Sequence, residues 1–174
     1  MEHLWAPWRM EYITGTHEKG CIFCSRPLER ERLAENLVLH VGKHAFVILN
    51  RFPYQSGHLM VVPLRHTDDF ADLREEELAE LFALLQEAVR ALRAVYKAEG
   101  INLGMNVGRP AGAGIEEHIH FHVVPRWSGD TNFFPVIGGT KSMPELLGET
   151  YRKLRPWFEA LEERARAAGG GLGR

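Results

Sequence analysis

The sequence predicts an α+β fold, an antiparallel β-sheet with one long helix across a face, from three observations. Runs rich in Val, Leu, Ile and Phe recur over Asn36 to His40, Ala45 to Asn50 and His58 to Pro63. A helical period then replaces them from Asp72 to Gly100, and two more strand-like runs follow, on either side of a glycine-rich loop. Strands, one long helix and strands again is not the alternation that builds a parallel sheet.

Taken in order, the first twenty residues are aromatic and irregular, with Trp5, Trp8 and Tyr12 around Pro7, and read as a flap packed on the core or on another subunit. Cys21-Ile22-Phe23-Cys24 comes next, then a charged stretch from Arg26 to Arg32 that suits a solvated turn or short helix. The second and third strands are separated by Arg51 to Gly57, whose Pro53 and Gly57 suit a tight connection and so an antiparallel pair. In the helix Leu78, Leu81, Phe82, Leu85, Val89, Leu92 and Tyr96 recur at three- and four-residue steps, with Asp72 and Glu75 as the expected capping pair and Gly100 as the expected stop. Ile101 to Val107 is a strand, Gly108 to Gly114 the loop, and Glu117 to Pro125 the last strand. Arg126 to Gly139 is irregular, and Met143 to Arg166 is helical with a kink or break at Pro156. No repeat or linker divides the chain, so one domain is expected: an N-terminal extension (1–20), a core (21–125), a C-terminal extension (126–166) and a frayed tail (167–174). Such a sheet leaves an edge to cover, and a dimer is one solution.

At 174 residues and 45% hydrophobic, the chain can bury a core without crosslinks. Lys+Arg 21 against Asp+Glu 23 gives a net charge of −2, which argues against an electrostatic grip on nucleic acid or an anionic membrane and in favour of a small-molecule substrate. No apolar run is long enough to span a bilayer, and the first residues lack the order of a signal peptide, so a cytoplasmic protein is expected. Two cysteines are too few for a disulfide framework.

The chemistry is concentrated in Glu117-His118-Ile119-His120-Phe121-His122-Val123-Val124-Pro125. On a β-strand the three imidazoles would share one face. Residues i and i+4 are then about 13 Å apart, so one ion cannot take all three, although two of them could share one. A merely solvated face is the blander reading, and three same-face histidines flanked by glycines count against it. The remaining reading is nucleophilic. A neutral imidazole whose Nδ1–H is held by a carbonyl presents Nε2 as a nucleophile, and His120, in the middle, is best placed for it. The loop Gly108 to Gly114 brings backbone N–H groups close to a phosphate, and Asn106 and His58 add donors, so a phosphoryl centre is favoured over an acyl one.

His118-Ile119-His120-Phe121-His122-Val123-Val124-Pro125, with Gly57-His58-Leu59-Met60-Val61-Val62-Pro63 upstream, resembles the signature pair of the histidine-triad (HIT) superfamily of nucleotide hydrolases and transferases, over about Cys21 to Pro125. The resemblance implies a homodimer with a joined antiparallel sheet and a covalent nucleotidyl intermediate on His120. It also implies that the His118 carbonyl orients the nucleophile, that His122 binds the phosphate or bridging oxygen, and that His58 lines the phosphate site. Asn50 matches the ribose-holding position. Asn106 and the backbone of Gly112, Ala113, Gly114 and Ile115 match the phosphate-binding segment, with Ile115 where many relatives carry Ser. Leu4 to Tyr12, the Pro53-Tyr54 turn and Pro125 to Pro135 are similar to a bacterial branch, the diadenosine tetraphosphate phosphorylases, in which inorganic phosphate replaces water in the second step.

Cys21-x-x-Cys24 reads either as a redox pair or as half of a zinc knuckle, and spacing does not choose the remaining ligands among His17, His40, His44, His66 and His118. The resemblance implies His66 and His118, hence a closed structural zinc site; no organic cofactor is expected. Two competitors stand beside the nucleotidyl-transfer reading. A nucleotide-binding signalling module would bind adenosine phosphates without turnover, and a zinc hydrolase built on two triad histidines would lose activity with its metal while the cysteines were dispensable. Whether two dimers join into a tetramer is not specified by the sequence.

Overall fold

The computed structural model describes residues 20–130 and 143–169. The aromatic N-terminal segment, His17, Thr131 to Pro135 and the last tail residues lie outside them. Five strands form one antiparallel sheet: β1 (Val38–Val41), β2 (Ala45–Leu49), β3 (Leu59–Pro63), β4 (Gly100–Met105) and β5 (Phe121–Arg126), in the order β1-β2-β3-β5-β4. Three helices complete it: α1 (Ile22–Ser25), α2 (Glu75–Tyr96) and α3 (Leu147–Gly169). The α+β class is as expected, with α3 as a second long helix.

Every residue of β2 and β3 is buried, because these central strands are covered on both faces. α2 packs on β2, β3 and β5 with Leu81, Leu84, Leu85, Ala88 and Leu92. Phe23 of α1 reaches Phe46 of β2, with ring centroids 6.3 Å apart. α3 lies against β1 and α2. Its Tyr151 hydroxyl donates to the Val38 carbonyl at 3.2 Å, and its Arg155 guanidinium donates to the Leu39 carbonyl, so one outer strand of the sheet is covered. The other outer strand, β4, exposes Asn102, Leu103 and Gly104.

Three expectations are corrected. α2 begins at Glu75 with Arg74 at the N-cap, and Glu77 accepts the Arg74 N–H at 2.9 Å, in place of the expected Asp72–Glu75 pair. Asp72 instead ends a short 3₁₀ turn, Phe70–Asp72. The helix stops at Lys97, which takes the left-handed conformation (φ 52°), and Gly100 is already the first residue of β4. Pro156 does not break α3, because Leu154 and Phe158 on either side of it are fully buried and hold the helix down.

Candidate functional site

The site forms where β3 and β5 pair, from Leu59 opposite Val123 to Val61 opposite Phe121. Beyond Phe121 the ladder ends, and the Ile119 amide turns away to donate to the Thr67 carbonyl at 2.9 Å. Of the three alternating histidines, therefore, only His122 lies in the strand; His118 and His120 precede it, which corrects the expectation of three imidazoles on one strand face. The departure sends His118 and His120 to different tasks.

His120 is 6% exposed, and its Nδ1 lies 2.9 Å from the His118 carbonyl. A carbonyl only accepts, so Nδ1 carries the proton and Nε2 the free lone pair. Burial pushes the His120 pKa down, which keeps that lone pair free below the ordinary imidazole range. The His122 ring stands edge-on to it, with centroids 4.9 Å apart.

His58 lies behind His122. Its Nδ1 accepts the Tyr54 N–H at 3.0 Å, its Nε2 is 3.0 Å from His122 Nδ1, and the residue is 1% exposed. Because Nδ1 is an acceptor, the proton of the neutral ring is on Nε2 and is donated to His122 Nδ1. His122 must then carry its own proton on Nε2. Burial first, and the neighbouring His120 second, lower the His122 pKa to about 4, so at neutral pH it is an uncharged donor. His58 thus sets the proton position of His122 from behind, where the sequence resemblance had it lining the phosphate.

A cleft of about 520 Å³ opens in front of His122, bordered by Tyr54, Asn106, Met105 and Arg126. Asn106 donates from Nδ2 to the Gly112 carbonyl at 3.4 Å, tying the glycine-rich loop to the cleft. Gly112 has a φ of 92°, a left-handed conformation that glycine adopts without strain. Ala113 and Gly114 continue that loop, and Ile115 packs partly buried against the core. Asn50, at the end of β2, accepts the Phe52 N–H at 2.9 Å and so caps the turn leading to Tyr54. Neither Asn50 nor the 112–115 segment borders the cleft.

His118 also belongs to a group of four candidate metal ligands, with Cys21, Cys24 and His66. His118 is fully buried, and its Nε2–H donates to the Pro63 carbonyl at 2.9 Å, leaving Nδ1 as a ligand atom. That Nδ1 is 3.3 Å from Cys21 Sγ, 3.6 Å from Cys24 Sγ and 3.3 Å from His66 Nδ1, and Cys24 Sγ is 3.3 Å from His66 Nδ1. Tetrahedral zinc with about 2.0 Å bonds to nitrogen and about 2.3 Å bonds to sulfur places its ligand atoms roughly 3.3–3.8 Å apart. The four residues fit a structural zinc ion, and all four ligands come from the chain, so no position is left for substrate. His120 and His122 do not join this or any other such cluster among the described residues. The redox reading loses its support too, since each thiol faces an imidazole nitrogen at 3.3 Å and burial pushes the Cys24 thiol up to about 11.

Three contributors escaped the sequence. The Tyr54 amide orients His58, and its ring lies 5.6 Å from that of His122. Arg65, next to His66, donates to Glu77 at 2.9 and 3.0 Å and so ties the ligand loop to α2. Phe23 packs 5.0 Å from the His120 ring and 5.5 Å from the His118 ring. Phe23 carried a signal in its place between the two cysteines and Tyr54 in the Pro53-Tyr54 turn, but neither pattern gave the contact that the residue makes.

Residues 32–129 match the profile of the HIT domain. The chain is 42% identical over 161 residues to the AP-4-A phosphorylase of Mycobacterium tuberculosis, covering 88% of this chain and 83% of that protein. Among solved structures it is similar to a Zn-bound histidine triad family protein from Mycobacterium smegmatis, with TM-score 0.63 and 29% identity over 83% of this chain and 97% of that one. A hypothetical histidine triad nucleotide-binding protein from Sulfolobus tokodaii gives TM-score 0.60 and 25% identity over 88% and 99% of the two chains.

Proposed function

This chain belongs to the HIT domain family, and from that premise we propose that it is a nucleotidyl transferase acting on dinucleoside polyphosphates such as diadenosine tetraphosphate, with His120 as the nucleophile. The observation that carries the reading is the bond between His120 Nδ1 and the His118 carbonyl, which leaves the Nε2 lone pair free on a ring packed against His122, the triad histidine that borders the cleft.

In the first step Nε2 attacks the α-phosphorus. The P–N bond forms as the bridging P–O bond breaks, and the electron pair leaves on the departing nucleoside polyphosphate. A phosphate leaving group is stable as an anion and needs no full proton transfer. The neutral His122 Nε2–H suits that demand, since it stabilises the growing charge by donating a hydrogen bond. In the second step an acceptor oxygen attacks phosphorus and the P–N bond returns its electron pair to Nε2. Water would need a general base there, and His122, with a pKa near 4, is a poor one. Inorganic phosphate is already an anion, so we take it as the acceptor, with a nucleoside diphosphate as product. The AP-4-A phosphorylase relative supports this choice. On the family resemblance we assign Asn106 and the glycine-rich loop to the phosphates and Asn50 to the ribose; of these Asn106 borders the cleft, and it is tied to the loop through the Gly112 carbonyl.

Cys21, Cys24, His66 and His118 would hold the zinc ion, which when bound supplies a crosslink between α1 and the catalytic segment. Residues 1–174 are read as a single HIT domain in the cytoplasm; among the described residues no helix is long and apolar enough to cross a membrane. We further assign β4 to a homodimer in which the sheet continues across the interface. Its support is the contrast between the two outer strands: α3 covers β1, whereas β4 leaves Leu103 54% exposed, and Phe82 on α2, 50% exposed, borders Phe121 of β5.

Rapid-quench trapping of labelled nucleotide on the protein tests the reading, together with product analysis of diadenosine tetraphosphate with and without phosphate. Labelled His120 and a phosphate-dependent diphosphate product are expected. An His120→Ala protein that still labels and turns over would overturn it, and tight binding with no product would favour a signalling module.

A further inference from the structure

The nucleophile's ring is held by one hydrogen bond, through Nδ1 at 2.9 Å. A single bond leaves a planar ring free to swing about it, and a swing redirects the lone pair on the opposite nitrogen. Two rings pack against His120 among the described residues, His122 at 4.9 Å and Phe23 at 5.0 Å, the latter inclined at 47°. His122 has its own duty toward substrate. Phe23 touches no part of the cleft: it is 1% exposed and sits between His118, His120 and Phe46. It belongs to a helix of four residues, too short to hold its place by its own backbone, and the cysteines on either side of it converge on the metal cluster.

We propose that Phe23 is a positioning residue for the nucleophile, a hydrocarbon wall that fixes the direction of His120 Nε2 and is itself fixed by Cys21 and Cys24. The inference deepens the nucleotidyl-transfer reading and rests on it for its kinetic form. Attack on phosphorus requires the lone pair in line with the leaving oxygen, whereas binding of the substrate does not. Loss of the wall therefore acts on kcat and leaves KM nearly unchanged.

The test uses the full-length, zinc-loaded protein and its Phe23→Ala and Phe23→Leu variants. Zinc per chain, kcat and KM for diadenosine tetraphosphate with phosphate, and the ¹⁵N spectrum of His120 are measured. Phe23→Ala is expected to keep its zinc, to lose about 10- to 100-fold in kcat with KM changed less than about threefold, and to show the His120 ring resonances broadened or shifted by added ring motion, with the Nδ1–H tautomer kept by the His118 carbonyl. Phe23→Leu, which restores part of the wall without its flat face, should show a smaller, severalfold fall in kcat. A zinc-loaded Phe23→Ala protein with kcat within about twofold of the parent overturns the proposal, as does a loss that tracks missing zinc or appears only in KM. Should Phe23→Ala fail to fold, Phe23→Leu decides: a severalfold fall in kcat at full zinc occupancy supports the wall, and an unchanged kcat removes it. If the parent itself does not turn over, the enzymatic reading fails separately, and a His120 spectrum identical in parent and variants overturns the positioning role on its own.

Discussion

Replacing His58 by Phe separates a residue that touches substrate from one that works through its neighbour. The ring volume is nearly kept in a site that is 1% exposed, but two hydrogen bonds go: the one from the Tyr54 amide and the one to His122 Nδ1, each 3.0 Å. Leaving the partly buried Tyr54 N–H without its acceptor should cost about 1–3 kcal/mol of stability, readable as a lower thermal midpoint. The catalytic effect comes from the other bond. Without the donor at Nδ1, the His122 proton can settle there, and the lone pair then faces the cleft where an N–H should be. Removing a single donor from a developing oxyanion costs roughly 100- to 1000-fold, and here the ring keeps the right tautomer part of the time. We therefore expect kcat to fall about 10- to 100-fold, equivalent to about 1.4–2.7 kcal/mol, with KM within about threefold of the parent. Steady-state turnover of diadenosine tetraphosphate and the single-turnover rate of nucleotide transfer to His120 give the two readouts. A folded His58→Phe enzyme with kcat within about twofold of the parent would refute the tautomer relay. A large rise in KM at unchanged kcat would refute it as well, by showing that His58 meets substrate directly.

Other perturbations test the frame around the site. Chelation that strips zinc should lower the melting temperature by several degrees or more, and Cys24→Ser should reproduce the shift without chelator; an unchanged midpoint at zero zinc content would rule out a structural ion. Glu77, held by the Arg65 guanidinium, has its carboxyl lowered from 4.5 to about 2. Its stabilisation is therefore complete above about pH 4.5 and is lost as the pH falls toward 2. A tenfold change in proton affinity corresponds to about 1.4 kcal/mol, and because solvent screens the partly exposed Arg65 we expect Glu77 to contribute on the order of 2 kcal/mol. Glu77→Gln should remove that part of the acid dependence in urea melts, and identical slopes for parent and variant over this window would contradict it. Burial lowers the pKa of both His120 and His122, so the acid limb of kcat should fall below pH 6.5, with a plateau from there to pH 8. A limb at or above 6.5 would mean that the working imidazole is an exposed one. Gly42→Ala should destabilise by about 1–3 kcal/mol in thermal melts, because the added methyl would come within 2.9 Å of the Ala45 backbone carbonyl and displace the Glu80 carboxylate that accepts the Lys43 and His44 amides of the β1–β2 turn.

The class of fold was legible because its signals are periodic and local. The three hydrophobic runs fell within a residue or two of β1, β2 and β3, and the three- and four-residue steps from Leu78 to Tyr96 marked α2. Its start was misread because capping is decided by a distant partner: Glu77 caps Arg74 while Arg65, twelve residues upstream, grips both oxygens of the same carboxylate. Its end was misread because Lys97 takes a conformation usually left to glycine or asparagine. The alternation of the histidines was real, but periodicity cannot report that the ladder ends at Phe121 and that Thr67 draws Ile119 aside. Nor can any local pattern state which way a ring faces. His58 was visible as a residue, but its place behind His122 follows from the fold of the turn at Tyr54.

The metal cluster is assembled from parts of the chain that are far apart in synthesis order. Cys24 and His118 are separated by 94 residues, and β5, which completes the sheet around the last ligand, follows it. A nascent polypeptide therefore displays its two thiols on the ribosome long before the imidazole that finishes their cage has been translated. The four-ligand cage therefore cannot close until His118 has been translated, and the two thiols lack that partner throughout the interval.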